Sequence, residues 1–170
     1  MYDSNGIIEY EGEYINDEKE GIGKEFYANG EYYIGKLKKG LRHGRGIYYY
    51  SNGNIKYEGE FINGKCEGDG KYFLVNGEYY IGQFRNGVKN GKGTEYYSDK
   101  KLKFKGDYIS NEKNGIGHYI SENDEYYIGQ FINGVKHGKG TLYLPNGKIK
   151  QEGNWFFGIF TGNWIIVKAN

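Results

Sequence analysis

The stretch YIGQFINGVKHGKGTLYLPNG, Tyr127 to Gly147, has the glycines, lysine and threonine of a phosphate-binding loop, and NGVKNGKGT repeats the pattern from Asn86 to Thr94. Such a loop needs four residues between its first glycine and a Gly-Lys-Ser/Thr run, so that successive N–H groups wrap the phosphates. The fifth residue after Gly134 is Lys139, and Gly140 separates that lysine from Thr141. The register therefore excludes a nucleotide site. His43, His118 and His137 have no second His, Cys or carboxylate at ligand spacing, so no metal site is expected and the histidines read as solvated turn residues. No Gly-x-Ser-x-Gly elbow occurs, and no nucleophile is framed by a base and an orienting carboxylate. Carboxylate pairs sit in polar turns such as NDEKEG. The lone Cys66, in NGKCEGDG, reads as an inert turn thiol that has no internal disulfide partner. The expectation is a non-enzyme without cofactor.

The near-copies obey a period. Tyr10-Glu-Gly, Tyr33-Ile-Gly, Tyr57-Glu-Gly, Tyr80-Ile-Gly, Phe104-Lys-Gly, Tyr127-Ile-Gly and Gln151-Glu-Gly follow one another at alternating steps of 23 and 24 residues, a double unit of 47. Each start is followed by an aromatic residue or Leu, a polar turn and a Gly-x-Gly, the last at 21/23, 44/46, 68/70, 91/93, 115/117 and 138/140. Fixed self-similarity at such a period is the mark of a repeat architecture.

These residues resemble the MORN repeat (membrane occupation and recognition nexus), whose pattern YxGxxxxGxxhGxGxYxxxxG is matched by Tyr127 to Gly147 almost letter for letter. The boundaries expected from the steps are a lead-in strand or cap at 1–9, repeats at 10–32, 33–56, 57–79, 80–103, 104–126 and 127–150, and a partial repeat with a cap at 151–170. The resemblance implies a single-layer, curved and twisted sheet with a concave groove.

Alternation of apolar and polar residues near each start is the two-residue period of a strand. Asn63-Gly64, Asn86-Gly87, Asn133-Gly134 and Asn146-Gly147 supply the positive φ that closes hairpins. Each repeat is thus one hairpin of an all-β, antiparallel meander. Helix is excluded because an interior glycine costs about 1 kcal/mol relative to alanine and glycine comes every few residues. Thirty Gly, twenty Tyr and one Pro fit this reading, the glycines being spread evenly instead of pooled in a linker. Lys and Arg total 23 against 22 for Asp and Glu, so nothing calls for a nucleic-acid partner. No run has the length of a membrane-spanning helix, and MYDSNGIIEY lacks the regions of a signal peptide. The expected setting is cytoplasmic, with peripheral contact to membrane or cytoskeleton as a variant.

Positions two and four after each Gly-x-Gly share a face. They read Glu25/Tyr27, Tyr48/Tyr50, Tyr72/Leu74, Glu95/Tyr97, Tyr119/Ser121, Leu142/Leu144 and Trp164/Ile166. In the family this face lines the groove with the opening tyrosines. The expected lining is therefore Tyr27, Tyr33, Tyr48, Tyr50, Tyr57, Tyr72, Tyr80, Tyr97, Tyr119, Tyr127 and Leu142, either to bind a peptide or helix of another protein or only to hold the ribbon together. Glu25 and Glu95 interrupt this lining and either receive a basic group of a ligand or face water. The other face departs from the family, with Phe26, Tyr49, Phe73, Tyr96, Ile120, Tyr143 and Ile165 where polar residues are usual. Ile34, Ile81 and Ile128, then Ile15, Ile62, Ile109 and Ile132, extend that apolar stripe. It reads either as a second interface, by homodimerisation or a bound helix, or as plain strand preference.

Even repeats have basic turns and odd repeats acidic or mixed ones. Lys36, Lys38, Lys39, Arg42, Arg45, Arg85, Lys89, Lys92, Lys136 and Lys139 are expected in clusters along one edge, either as a solvated rim or as a site for anionic phospholipid headgroups. The C-terminal NWFFGIFTGNW places Trp155, Phe156, Phe157, Phe160 and Trp164 as a cap, with dimerisation through the same edge as the rival. The leading expectation is a protein-binding scaffold, and the alternative is a membrane adaptor.

Overall fold

The structure is a computed structural model that describes residues 8–162. Among those residues there are fourteen strands and no helix, in one antiparallel sheet whose strand order is the order of the chain, a single-layer β-meander. The expected Trp164, Ile165 and Ile166 and most of the 1–9 lead-in lie outside the described residues. The chain forms two compact units, Met1–Val88 and Lys89–Asn170. The first holds β1 (Tyr10–Ile15), β2 (Glu18–Phe26), β3 (Tyr32–Lys38), β4 (Leu41–Tyr49), β5 (Ile55–Ile62), β6 (Lys65–Phe73) and β7 (Tyr79–Arg85). In the second are β8 (Val88–Tyr96), β9 (Leu102–Ile109), β10 (Glu112–Ile120), β11 (Tyr126–Ile132), β12 (Val135–Tyr143), β13 (Ile149–Phe156) and β14 (Ile159–Phe160).

Two kinds of turn alternate. The tight ones contain two residues, both left-handed: Asn63 and Gly64 have φ 48° and 81°, Asn133 and Gly134 48° and 82°. That conformation suits the right-handed twist of the flanking strands, and Asn and Gly tolerate it. The wider turns join one repeat to the next. In the last, Leu144 N–H donates to Lys148 O, Gly147 N–H to Leu144 O, and Lys148 N–H to Asn146 Oδ1. Only Gly147 is left-handed there, so Asn146-Gly147 belongs to this second type and not with the tight hairpins expected for it. The same side-chain bond recurs at Asn29, Asn52, Asn76, Asp99 and Asn123.

Glycines face one another across every described pairing except β13–β14, where Trp155 faces Phe160. Gly12, Gly23, Gly35, Gly46, Gly59, Gly70 and Gly82 form one lane through the first unit. Gly93, Gly106, Gly117, Gly129, Gly140 and Gly153 do so in the second. The ring that opens each repeat lies down over this lane. A Cβ on Gly35 or Gly46 would overlap Tyr33, and one on Gly59 or Gly70 would overlap Tyr57. Sinking into the lane lets one layer bury its rings without a second sheet.

The alternation of 23 and 24 residues has a structural cause. At the first junction Phe26 pairs with Tyr32 and Glu25 with Tyr33, so the register is unbroken. At the next, Tyr49 pairs with Ile55 but Tyr48 with Tyr57, which leaves Lys56 as an extra residue. Lys103 and Lys150 are extra in the same way. Every second junction thus carries a bulge whose added residue is a lysine.

Candidate functional site

On the face where the opening rings lie, those rings form a buried column with the residue four positions later, which is aromatic except at Leu37. In the first unit Tyr33, Phe61, Tyr57, Phe84 and Tyr80 meet edge to face at 5.1–5.2 Å between centroids. In the second, Tyr108, Phe104, Phe131, Tyr127, Trp155 and Phe160 do so at 5.2–5.5 Å. Such offset contacts suit the ring quadrupole. Tyr33, Tyr57, Tyr80 and Tyr127 are at most 2% exposed, and their hydroxyls donate to the carbonyls of Lys36, Glu60, Gln83 and Gln130. Burial pushes the Tyr33 and Tyr127 hydroxyls up to about 12. Of the expected lining, these four are therefore the floor beneath the face rather than its surface. Leu142 is buried with them.

The surface of the ring face is the half-buried second rank, Tyr27, Tyr48, Tyr50 and Tyr72 in the first unit and Tyr97 and Tyr119 in the second. Most of these rings are tethered. Tyr27 donates to Glu25, Tyr48 to Glu31 at 2.8 Å, Tyr50 to Phe73 O and Tyr97 to Ile120 O, each at 2.8 Å. Burial comes first among the causes that push Tyr48 and Tyr50 up to about 12.

In each unit cations lie across these rings, in a place where turn residues were expected. Because the tight turns contain only two residues, the returning strand starts at once, and its second residue faces the rings. That residue is Lys19, Arg42, Cys66, Lys89, Lys113 and Lys136 in β2, β4, β6, β8, β10 and β12. Lys19 sits 5.2 Å from the Tyr10 centroid, Lys113 4.9 Å from Phe104, and Lys136 4.9 and 4.7 Å from Tyr127 and Trp155. Arg42 has four rings within 6 Å, at 5.0 Å from Tyr48, 5.3 Å from Phe61 and 5.9 Å from both Tyr27 and Tyr33.

Glu25 and Glu95 neither interrupt this face nor look outward. Lys19 Nζ bonds Glu25 at 2.6 Å, while Lys89 and Lys113 grip Glu95 at 2.7 and 3.0 Å. Burial opposes the ionisation of Glu95, but Lys113 and Lys89 outweigh it and hold the carboxyl below the usual range. The bulge lysines Lys56 and Lys150 pair with Glu31 and Glu125. Arg42 and Lys136 have no carboxylate at ion-pair distance among the described residues. Burial lowers the Lys136 ammonium.

The ten basic residues expected along one edge divide between surfaces. Arg42, Lys89 and Lys136 belong to the ring face. Lys36, Lys38, Arg45, Arg85, Lys92 and Lys139 are exposed on strand positions of the opposite parity or beside a turn, and Lys39 is in a tight turn. The histidines are not solvated turn residues either. His137, in β12, packs on Phe156 and Phe157 at 5.5 and 5.1 Å. His118, in β10, meets Tyr126 at 5.7 Å, and burial lowers its pKa. Cys66 is on a strand, paired with Phe61, with burial pushing its thiol up to about 11. Among the described residues no group of three His, Cys, Asp or Glu side chains is placed to hold a metal ion.

The register puts Phe26, Tyr49, Phe73, Tyr96 and Tyr143 on the face opposite the rings. Tyr32 stacks on Tyr49 at 4.5 Å, Tyr126 on Tyr143 at 4.6 Å, and Lys24 and Lys71 cover Phe26 and Phe73. Beside them Ile34, Ile81 and Ile128 are 38–43% exposed, and Ile15, Ile62, Ile109 and Ile132 are 39–57% exposed. At the C-terminal end Trp155 is buried in the ring column, whereas Phe156 and Phe157 are more than half exposed.

The MORN repeat model matches residues 10–32, 33–55, 57–79, 80–101, 104–125 and 127–149, and a MORN repeat variant matches residues 1–16. No curated protein matches the chain.

Proposed function

The chain belongs to the MORN repeat family, whose repeats are associated with protein and membrane interaction, and from that premise we propose a non-catalytic adaptor that holds a peptide or helix of another protein against its ring face. The observation that carries this reading is the tethered second rank. Tyr48 and Tyr50 present half-buried rings whose hydroxyls are already bonded within the chain. A partner then meets aromatic area at fixed positions, with little side-chain entropy left to lose. Fixed, partly desolvated tyrosines are the usual anchors of protein interfaces. The floor of buried rings keeps that rank from collapsing inward.

A paired capture from a lysate of the source cell tests this, with the wild-type chain and a Tyr48→Ala/Tyr72→Ala variant as baits. A protein retained by the first and lost from the folded second supports the ring face. Equal retention by both baits rejects it. The membrane alternative rests on Lys36, Lys38 and Lys39, which are exposed together around the β3–β4 turn. Flotation with phosphatidylserine vesicles, abolished by replacing those three lysines with glutamine, is the result that would favour it. Among the described residues no helix is long and apolar enough to cross a membrane.

A further inference from the structure

We propose that Arg42 is the point at which the ring face takes a carboxylate, and that its occupant is an acidic segment of a protein partner, seated by a Glu or Asp side chain between Tyr27 and Tyr48. The inference rests on the ring-face reading and gives it a ligand chemistry.

Comparison among the cations at this strand position carries the argument. Three of them, Lys19, Lys89 and Lys113, have an internal glutamate at 2.6–3.0 Å. Arg42 occupies the same position and has none. Among the described residues the guanidinium makes one hydrogen bond, from Nη2 to Gly64 O at 2.7 Å, so four of its five N–H donors have no acceptor there. The neighbouring carboxylate and hydroxyl groups are engaged elsewhere. Glu25 is held by Lys19 and by the Tyr27 hydroxyl, and the Tyr48 hydroxyl donates to Glu31. The rings of Tyr27, Tyr33, Tyr48 and Phe61 crowd the guanidinium without neutralising it. A half-buried charge in this setting attracts a counterion more strongly than one in bulk water, because the effective dielectric is lower.

The residue type selects the ligand. A guanidinium fixed by rings and by a main-chain bond offers a planar fork that fits a carboxylate with two parallel hydrogen bonds. A membrane is the poorer occupant, since the lysines around this arginine on the ring face, Lys19 and Lys56, are already neutralised by Glu25 and Glu31. A headgroup layer gains from several cations at once, whereas one arginine among tyrosines fits a single acidic side chain with an aromatic or apolar neighbour.

The probe is a capped, fluorescein-labelled peptide of seven alternating Glu and Tyr residues, with a Gln/Tyr peptide as the uncharged control, measured by anisotropy on the full chain. The wild type is expected to prefer the Glu peptide by roughly tenfold to a hundredfold, the range of a charge-assisted hydrogen-bonded pair. Arg42→Gln is expected to bind both peptides alike, and Arg42→Lys to keep part of the preference. Arg45→Gln, at a side chain 89% exposed on the opposite face, leaves it unchanged. Circular dichroism melting shows that each variant is folded. A preference that survives in folded Arg42→Gln, or is absent from the wild type, overturns the proposal. So does displacement of the peptide by phosphatidylserine vesicles that depends on Arg42, which assigns the charge to a membrane. A lysate partner lost with Tyr48→Ala/Tyr72→Ala but kept with Arg42→Gln leaves the ring face standing and removes only the arginine.

Discussion

Tyr33 lies over Gly46 on the next strand so closely that a Cβ on the glycine would fall inside the ring. Gly46 is not left-handed, so nothing but that space demands glycine. Gly46→Ala should destabilise the chain by about 1–3 kcal/mol, the usual cost of overpacking a filled site. Gly64→Ala is the contrast. It meets nothing within 4 Å and carries only the strain of φ 81°, about 1–2 kcal/mol. Urea unfolding of both variants separates the two effects, and Tyr33→Ala added to Gly46→Ala should recover part of the first and none of the second.

The Tyr33 hydroxyl matters far less than its ring. Phe104 occupies the equivalent position without a hydroxyl and is fully buried. Tyr33→Phe removes the bond to Lys36 O and should cost about 0.5–1.5 kcal/mol, against about 3–5 kcal/mol for Tyr33→Ala. Equal losses in chemical denaturation would mean that the hydroxyl, not ring burial, anchors the repeat.

Acid should weaken the second unit through Glu95. Its folded pKa is depressed, so its contribution is fully present above the unfolded value of about 4.3 and is lost as pH falls through the lower folded value. Glu95→Gln removes the negative charge that Lys89 and Lys113 both face and leaves them a neutral amide oxygen, and should cost about 1–3 kcal/mol at neutral pH. The same variant should show a flatter loss of stability below about pH 4. Thermal melts of both proteins across that range provide the check.

Cys66 should resist thiol reagents in the folded chain. With the thiol pushed up to about 11 by burial, little thiolate exists at pH 8, and a disulfide reagent such as dithionitrobenzoate should label it only after denaturation. Rapid labelling without denaturant would show that this position of the ring face opens readily.

The strands, the hairpins and the assignment of side chains to faces were legible because a period of two and an Asn-Gly pair carry that information directly. Depth was not. Alternation puts Tyr33 and Tyr48 on one face alike, and only the glycines beneath the first ring, Gly35 and Gly46, decide that it sinks to 0% exposure while the second stays half-buried. The signal existed in the opening Tyr-x-Gly and the Gly-x-Gly, whose outer members become neighbours once the register is known. The cations over the rings were missed because charged residues beside Asn-Gly look like loop. Counting back by twos from Gly46 through Gly44 reaches Arg42, and the same count from Gly140 reaches Lys136. The reach of Lys113 in β10 to Glu95 in β8 needed the register of β8 with β9 and β9 with β10, which no local pattern contains.

The extra lysine at every second junction fixes the step size by which such a chain can change length. Removing one 23-residue copy would bring a bulged seam where an even one stood, and Lys56 would lose its place beside Glu31. Excising or inserting 47 residues keeps every seam and every lysine–glutamate bridge in phase. Insertions and deletions tolerated in chains built on this plan should therefore be counted in hairpin pairs.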